Sequence, residues 1–353
     1  MTNGRSMPES NKPVAEVAVL GGGSFGTAMA KVLGENGHRV HFWMRDEAQA
    51  QEVRTTRINS RYMPGIEITG DILPTTDLAD AVSKAELVFV AIPSKAFRTV
   101  IRENSEKFRE GQVVVSLTKG IEAHGFKLMS EILQEEIPRC RIGVLSGPNL
   151  ASEIVNQDLT ATVIAAKDPD VRHKVQQLLG CEYFRVYANV DIYGVELAGA
   201  LKNIYAIVAG LAAAMNMGEN ANAMLITRGL AEMSRFAVSL GANPMTFMGL
   251  AGVGDLIVTC TSSKSRNYRI GYAVGQGQNL EDAVAELGQV AEGIYTLELV
   301  KKKAEAIGIY MPLVRGLYEI LYGNSSINAV IKSLMTSVQN SDVEFILPRT
   351  IVE

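Results

Sequence analysis

Histidine is scarce in this chain, cysteine is scarcer, and a long apolar run is missing. The four histidines, His38, His41, His124 and His173, all precede the second half, and none stands near cysteines at metal-ligand spacing. That excludes a Cys/His metal cluster and leaves the second half without an imidazole acid or base. No metal is expected. Cys140, Cys181 and Cys260 are odd in number and form no CxxC pair, which argues against a disulfide framework and for reduced thiols in the cytoplasm. The longest apolar stretch, Ile204–Met215, falls well short of the ~20 residues of a bilayer span and reads as a buried core helix. The polar first dozen residues, MTNGRSMPESNK, show no apolar signal region. A net charge of −4 offers no bulk attraction for nucleic acid or acidic membrane, so neither is expected as a partner.

What is present is ordinary globular material, 47% hydrophobic and 20% charged over 353 residues, long enough for two domains. Val14–Leu20, Arg39–Met44, Glu86–Ile92, Gln112–Leu117, Arg141–Leu145, Thr160–Ala166 and Phe184–Tyr187 read as strands. Helical patterns at Thr27–Asn36, Phe97–Lys107, Phe126–Glu136 and Pro169–Leu179 alternate with them. That alternation predicts an α/β, Rossmann-type parallel sheet covered on both faces. Past residue 190 every pattern is helical: Asp191–Met217, Ala221–Leu240, Arg266–Gly275, Leu280–Leu287, Tyr295–Ile307, Pro312–Tyr322 and Ile327–Thr336. The expected division is a flexible extension 1–12, a dinucleotide-binding domain 13–189, an all-α substrate domain 190–338 and a tail 339–353.

Gly21, Gly23 and Gly26 form G-x-G-x-x-G between a strand and a helix, the context in which a tight turn brings pyrophosphate onto a helix N-terminus. The same residues contain G-x-S-x-G around Ser24. A hydrolase elbow would need a loop from an earlier strand for its oxyanion hole and a triad histidine late in the chain, yet only one strand precedes Ser24 and the last histidine is His173. About 20 residues past the glycines an acid serves NAD and an arginine NADP. Arg45 and Asp46 both stand at that distance, and one residue of register decides between them.

With the four histidines read as structural, the acid–base candidate is Lys202 in VELAGALKNIYAIVAGL. It shares a helical face with Val195, Ala198, Tyr205 and Ala206, where desolvation would lower its pKa. A lysine snorkelling from a helix would leave the same pattern. Glu196 and Asn203 share a neighbouring face and could support it. Lys119 ends a strand at the expected cofactor edge, although a surface loop lysine would look the same. The Ser146–Asn149 stretch, SGPN, is either a plain turn or a helix start offering amides. In LAGVGDLIVTCTSSKSRNYR, glycine turns present Asp255, and a polar loop carries Lys264, Ser265, Arg266, Asn267 and Arg269. Cations and a Ser cap at a helix start suit a small phosphorylated substrate, whereas a solvated basic loop is the plainer alternative.

The blocks GGGSFGTAMA, NGHRVHFWMRD, YMPG, AIPS, TKGIE, SGPNLASE, GVELAGALKN, TRGLAEMSR, FMGLAGVGDLIVTCTSSKSRN and GQVAEGIYT, in this order, resemble the bacterial NAD(P)-dependent sn-glycerol-3-phosphate dehydrogenases over nearly the whole chain. The resemblance implies reversible reduction of dihydroxyacetone phosphate for glycerophospholipid synthesis, with NADP or NAD as cofactor, in a cytoplasmic homodimer. It implies cofactor contacts from Ser24, Phe25, Arg45, Tyr62, Lys119, Ala151, Arg266, Val290 and Glu292. Lys202 would be the proton donor and acceptor, supported by Asp255 and Lys119. Gly147, Asn149, Ser265, Arg266 and Asn267 would hold the substrate. Asn149 departs from the Ser or Thr common at that position. The alternatives are another two-domain dehydrogenase, for 6-phosphogluconate or a β-hydroxy acid, and a non-catalytic NAD(P)H sensor.

Overall fold

The computed structural model describes residues 14–287, 291–323 and 325–336. The expected N-terminal extension, the C-terminal tail and Val290 therefore lie outside the described residues. An eight-stranded sheet comprises β1 (Glu16–Leu20), β2 (Arg39–Trp43), β3 (Ile72–Thr75), β4 (Leu87–Val90), β5 (Val113–Ser116), β6 (Arg141–Ser146), β7 (Thr160–Ala165) and β8 (Phe184–Asn189). Their spatial order is β8-β7-β6-β5-β4-β1-β2-β3.

Two features of the main sheet differ from the sequence reading. Strand β3, ILPT, escapes it because only two of its residues are strongly apolar and a proline follows them directly. The sheet is also mixed, since β7 runs antiparallel to β6 while β7 and β8 run parallel to each other. Strand direction leaves no trace in apolar content, so a strand buried on both faces reads alike in either sense.

Alternation along β1 shows how the layers form. Val17 and Val19 join the core on one face, with Met29 and Leu33 of helix α1 (Ser24–Glu35). Ala18 and Leu20 join the core on the other face, with Phe97 and Ile101 of helix α4 (Ser94–Glu103). Between these come α2 (Glu47–Thr56) and α3 (Leu78–Lys84), both N-capped by aspartates, Asp46 and Asp77. Helices α5 (Met129–Glu136), α6 (Ala151–Val155) and α7 (Pro169–Leu179) complete the first half.

The second half is helical, as read: α8 (Ile192–Ala214), α9 (Glu219–Ser239), α10 (Asp255–Thr261), α11 (Arg266–Gly275), α12 (Leu280–Leu287), α13 (Glu292–Ala306), α14 (Pro312–Leu321) and α15 (Ile327–Thr336). Helix α8 is long and apolar enough to cross a membrane, but most of it is buried inside the protein. Glycines let α11 lie directly on it. A Cβ at Gly271 would fall 1.9 Å from the Ile207 carbonyl, and one at Gly210 would fall 2.0 Å from the Tyr268 carbonyl. This contact fixes the start of α11 beside Lys202. The short ribbon Ile121–Glu122 with Lys127–Leu128 leaves the first half and sets Ile121 and Leu128 into the helical core.

Candidate active site

The carboxyl ends of β1, β4, β5 and β6 point at the helical half, and β1 and β4 flank the point where strand order reverses. Each glycine of the first loop has a separate role there. Gly21 has φ +126°, and a Cβ on it would lie 2.4 Å from the Ala91 carbonyl; Gly26 would place one 1.9 Å from the Gly21 carbonyl. Gly23, by contrast, has nothing within 4 Å of its Cβ position. It is also the N-cap of α1, which has no side-chain cap. The loop therefore has two tight packing points and one bare approach to free helix amides, which fits a pyrophosphate. Gln49 Nε2 and Asn59 Nδ2 hold the Gly22 carbonyl at 2.6 and 2.9 Å, and Asn59 also donates to Thr27 Oγ1 at 2.8 Å. Sequence reasoning missed this bracing, because Gln49 of α2 and Asn59 meet the glycine loop only through tertiary packing.

Ser24 is the first residue of α1, and its Oγ meets the Tyr62 carbonyl at 3.5 Å, with no histidine partner. This is not the environment of a hydrolytic nucleophile. Tyr62 lies beneath the Arg61 guanidinium, Phe25 packs on the sheet core, and Ala151 opens α6. At the end of β2, Asp46 is engaged: its Oδ1 accepts from Ala48 N and Gln49 N at 2.8 and 3.2 Å. Arg45 beside it is exposed.

Lys202 is buried on α8, as its apolar face requires. Its Nζ donates to Asp255 Oδ1 and, at 2.7 Å, to Thr259 Oγ1. Thr259 in turn donates to the Asp255 carbonyl at 2.6 Å. Burial pushes the Lys202 pKa down to about 8, although the Asp255 carboxylate pulls upward. Asp255 Oδ2 accepts from Lys119 Nζ at 2.7 Å, and Lys119 donates also to the Gly147 carbonyl at 2.8 Å. One fully buried carboxylate thus joins a lysine from each half of the chain.

Several expectations need correction. Asp255 does not sit on a glycine turn; Leu250–Gly254 forms a π-helical turn that runs straight into α10, which puts Asp255 and Thr259 one turn apart on a helix. Thr259, missed in sequence, could have been found from that i,i+4 spacing. Glu196 does not support Lys202. It turns to the sheet domain, where it accepts from Ser130 N at 3.0 Å and from Ser130 Oγ, capping α5; burial raises its pKa to about 7. The SGPN stretch is followed by a helix of only five residues, and what it gives Lys119 is a carbonyl. Asn149 Nδ2 donates to Thr162 Oγ1 at 2.9 Å, while Asn149 Oδ1 and Ser146 Oγ are buried without partners, free to meet a ligand.

Ser265 caps α11, its Oγ accepting from Tyr268 N at 3.3 Å. Arg266 follows it, exposed, with Glu292 and Tyr62 as its electrostatic neighbours. Asn267 is buried and donates to Asn203 Oδ1 at 2.9 Å. Lys264 pairs with Glu153 of the sheet domain at 2.8 Å, whereas Arg269 faces away and lines a separate cavity with Tyr268 and Tyr272. Among the described residues no cluster could hold a metal ion.

Residues 16–172 match the family model for the NAD-dependent glycerol-3-phosphate dehydrogenase N-terminus, and residues 191–332 match the model for its C-terminus. The chain is 58% identical over 330 residues to glycerol-3-phosphate dehydrogenase (NAD(P)+) of Pseudomonas syringae pv. tomato, covering 94% of this chain and 96% of that one. The Azotobacter vinelandii enzyme of the same description is 59% identical over 330 residues, at 94% and 97% coverage. The crystal structure of glycerol-3-phosphate dehydrogenase from Coxiella burnetii superposes with a TM-score of 0.88 at 34% identity, covering 92% of this chain and 99% of that one.

Proposed function

The chain belongs to the NAD-dependent glycerol-3-phosphate dehydrogenase family, and on that premise we propose that it reduces dihydroxyacetone phosphate reversibly to sn-glycerol 3-phosphate, with Lys202 giving and taking the proton. The observation that carries this reading is the buried Lys202–Asp255–Lys119 cluster facing the glycine loop across the strand ends. A nucleotide sensor would need no such group.

Gly21, Gly23 and Gly26, with the first amides of α1, would hold the pyrophosphate of NAD(P)H, whose nicotinamide supplies a hydride when bound. Arg266, Asn267 and the cap at Ser265 would hold the substrate phosphate, so that binding energy from the non-reacting end orients the carbonyl. Asn149 Oδ1 offers an acceptor to a substrate hydroxyl. As hydride reaches the carbonyl carbon, Lys202 in its ammonium form donates a proton to the developing alkoxide, and Lys119 adds a second positive charge nearby. In oxidation the neutral Lys202 amine takes that proton back. Asp255 holds both lysines and keeps Lys202 from becoming wholly neutral near pH 7. Supply of glycerophospholipid synthesis, a homodimer and a cytoplasmic setting belong to the same reading.

The assay is loss of reduced-nicotinamide absorbance on adding dihydroxyacetone phosphate, with NADH and NADPH in parallel. Oxidation is expected with at least one of them, and none with either would overturn the assignment.

The capping role of Asp46 points to Arg45 as the group for a ribose 2′-phosphate. Arg45→Ala should raise KM for NADPH about tenfold, the worth of one charge-assisted contact, and hardly change KM for NADH. Equal losses would return the ribose to Asp46.

A further inference from the structure

The Glu292–Gly293 dipeptide touches both walls of the cleft at once. From the first turn of α13, the Glu292 carboxylate reaches the first turn of α4, where Oε2 accepts from Ser94 Oγ at 2.7 Å and Oε1 from Ser94 N at 3.2 Å. Pro93 is the N-cap of α4 and offers no side-chain cap, so an acid from the opposite half satisfies that amide at the positive end of the helix. On the other side, Gly293 N donates to Asn267 Oδ1 at 3.1 Å, and Asn267 Nδ2 donates to Asn203, the residue after Lys202.

There is little slack in this chain of contacts. A Cβ at Gly120, next to Lys119, would lie 2.5 Å from Ser94 Cβ and 3.2 Å from Glu292 Oε2. A Cβ at Gly293 would lie 2.6 Å from Asn267 Oδ1 and 2.8 Å from the Asn203 carbonyl. Ser94 itself is buried.

We propose that Ser94 is a positioning residue for substrate capture: by holding Glu292 from across the cleft, it fixes the Gly293 amide and with it the side chain of Asn267. Ser94 touches no reacting atom. The inference rests on the reading of Asn267 as a substrate-phosphate residue, so the two are tested together.

Ser94→Ala removes one of the two bonds to the carboxylate without adding bulk. It should raise KM for dihydroxyacetone phosphate about tenfold while kcat stays within about threefold, because Lys202 and Asp255 are untouched. In the Glu292→Ala background, where Ser94 has no side-chain acceptor left to hold, adding Ser94→Ala should raise that KM no further. A role in folding alone would lower the melting temperature and leave KM unchanged, and that result overturns the proposal. So does full additivity of the two substitutions. If Ser94→Ala does not fold, Ser94→Cys gives the same readout through a weaker donor. Asn267→Ala is measured alongside. If it raises KM and Ser94→Ala does not, the latch fails alone; if neither raises KM, the substrate assignment of Asn267 fails as well.

Discussion

Lys202→Ala is expected to lower kcat for reduction about a thousandfold, within the range that a general acid contributes, and to lower kcat/KM equally. The protein should stay folded, because Asp255 keeps its contact with Lys119 at 2.7 Å when the other lysine is gone. The wild-type pH profile carries the same assignment. Reduction needs the ammonium form of Lys202, so its rate should fall as pH rises through about 8; oxidation needs the amine, so its rate should rise through about 8. Lys202→Arg should not rescue, since a guanidinium stays protonated and cannot cycle. Turnover by Lys202→Ala within tenfold of wild type would void the role.

Asp255→Asn should have the next largest effect, and on two measurements. The carboxylate is the main influence raising the Lys202 pKa against burial, so its removal lowers that pKa below about 8. The alkaline fall of the reduction rate should therefore move to lower pH, and turnover at pH 8 should drop by about one to two orders of magnitude. Two buried or half-buried cations would also lose their counter-ion, which costs about 3–5 kcal/mol when one partner of a buried pair is removed. A thermal melt should show a clear fall in stability. An unchanged alkaline limb with reduced turnover would mean that Asp255 acts on the substrate and not through Lys202.

The sequence made the dinucleotide half legible because burial on both faces yields apolar strands and the helices between them have their own period. It made Lys202 legible for a similar reason, as one cation on an apolar stripe. Direction in the sheet stayed hidden, and so did the pairing that brings Thr162 of β7 to Asn149, because antiparallel and parallel strands bury the same side chains. Glu196 misled for a different reason. Helical spacing says which residues share a face but not which neighbour that face will meet, and the neighbour here is Ser130. Ser94 and Glu292 lie 198 residues apart and meet only through tertiary packing. Their contact has no local signature.

The ribbon that plants Ile121 and Leu128 in the helical core, joined by the Glu196 cap on α5, gives the molecule a seam that crosses its own domain boundary. A fragment ending near Asn189 would turn those two apolar side chains to water, and the helical half alone would have a hole where they sat. The halves are units of sequence and of matching, but they do not each own a complete interior. Lys119 lies two residues before this seam. Because β5, which leads into Lys119, is hydrogen-bonded to β4 and through it to β1, this seam ties the nucleotide-binding sheet itself to the helices.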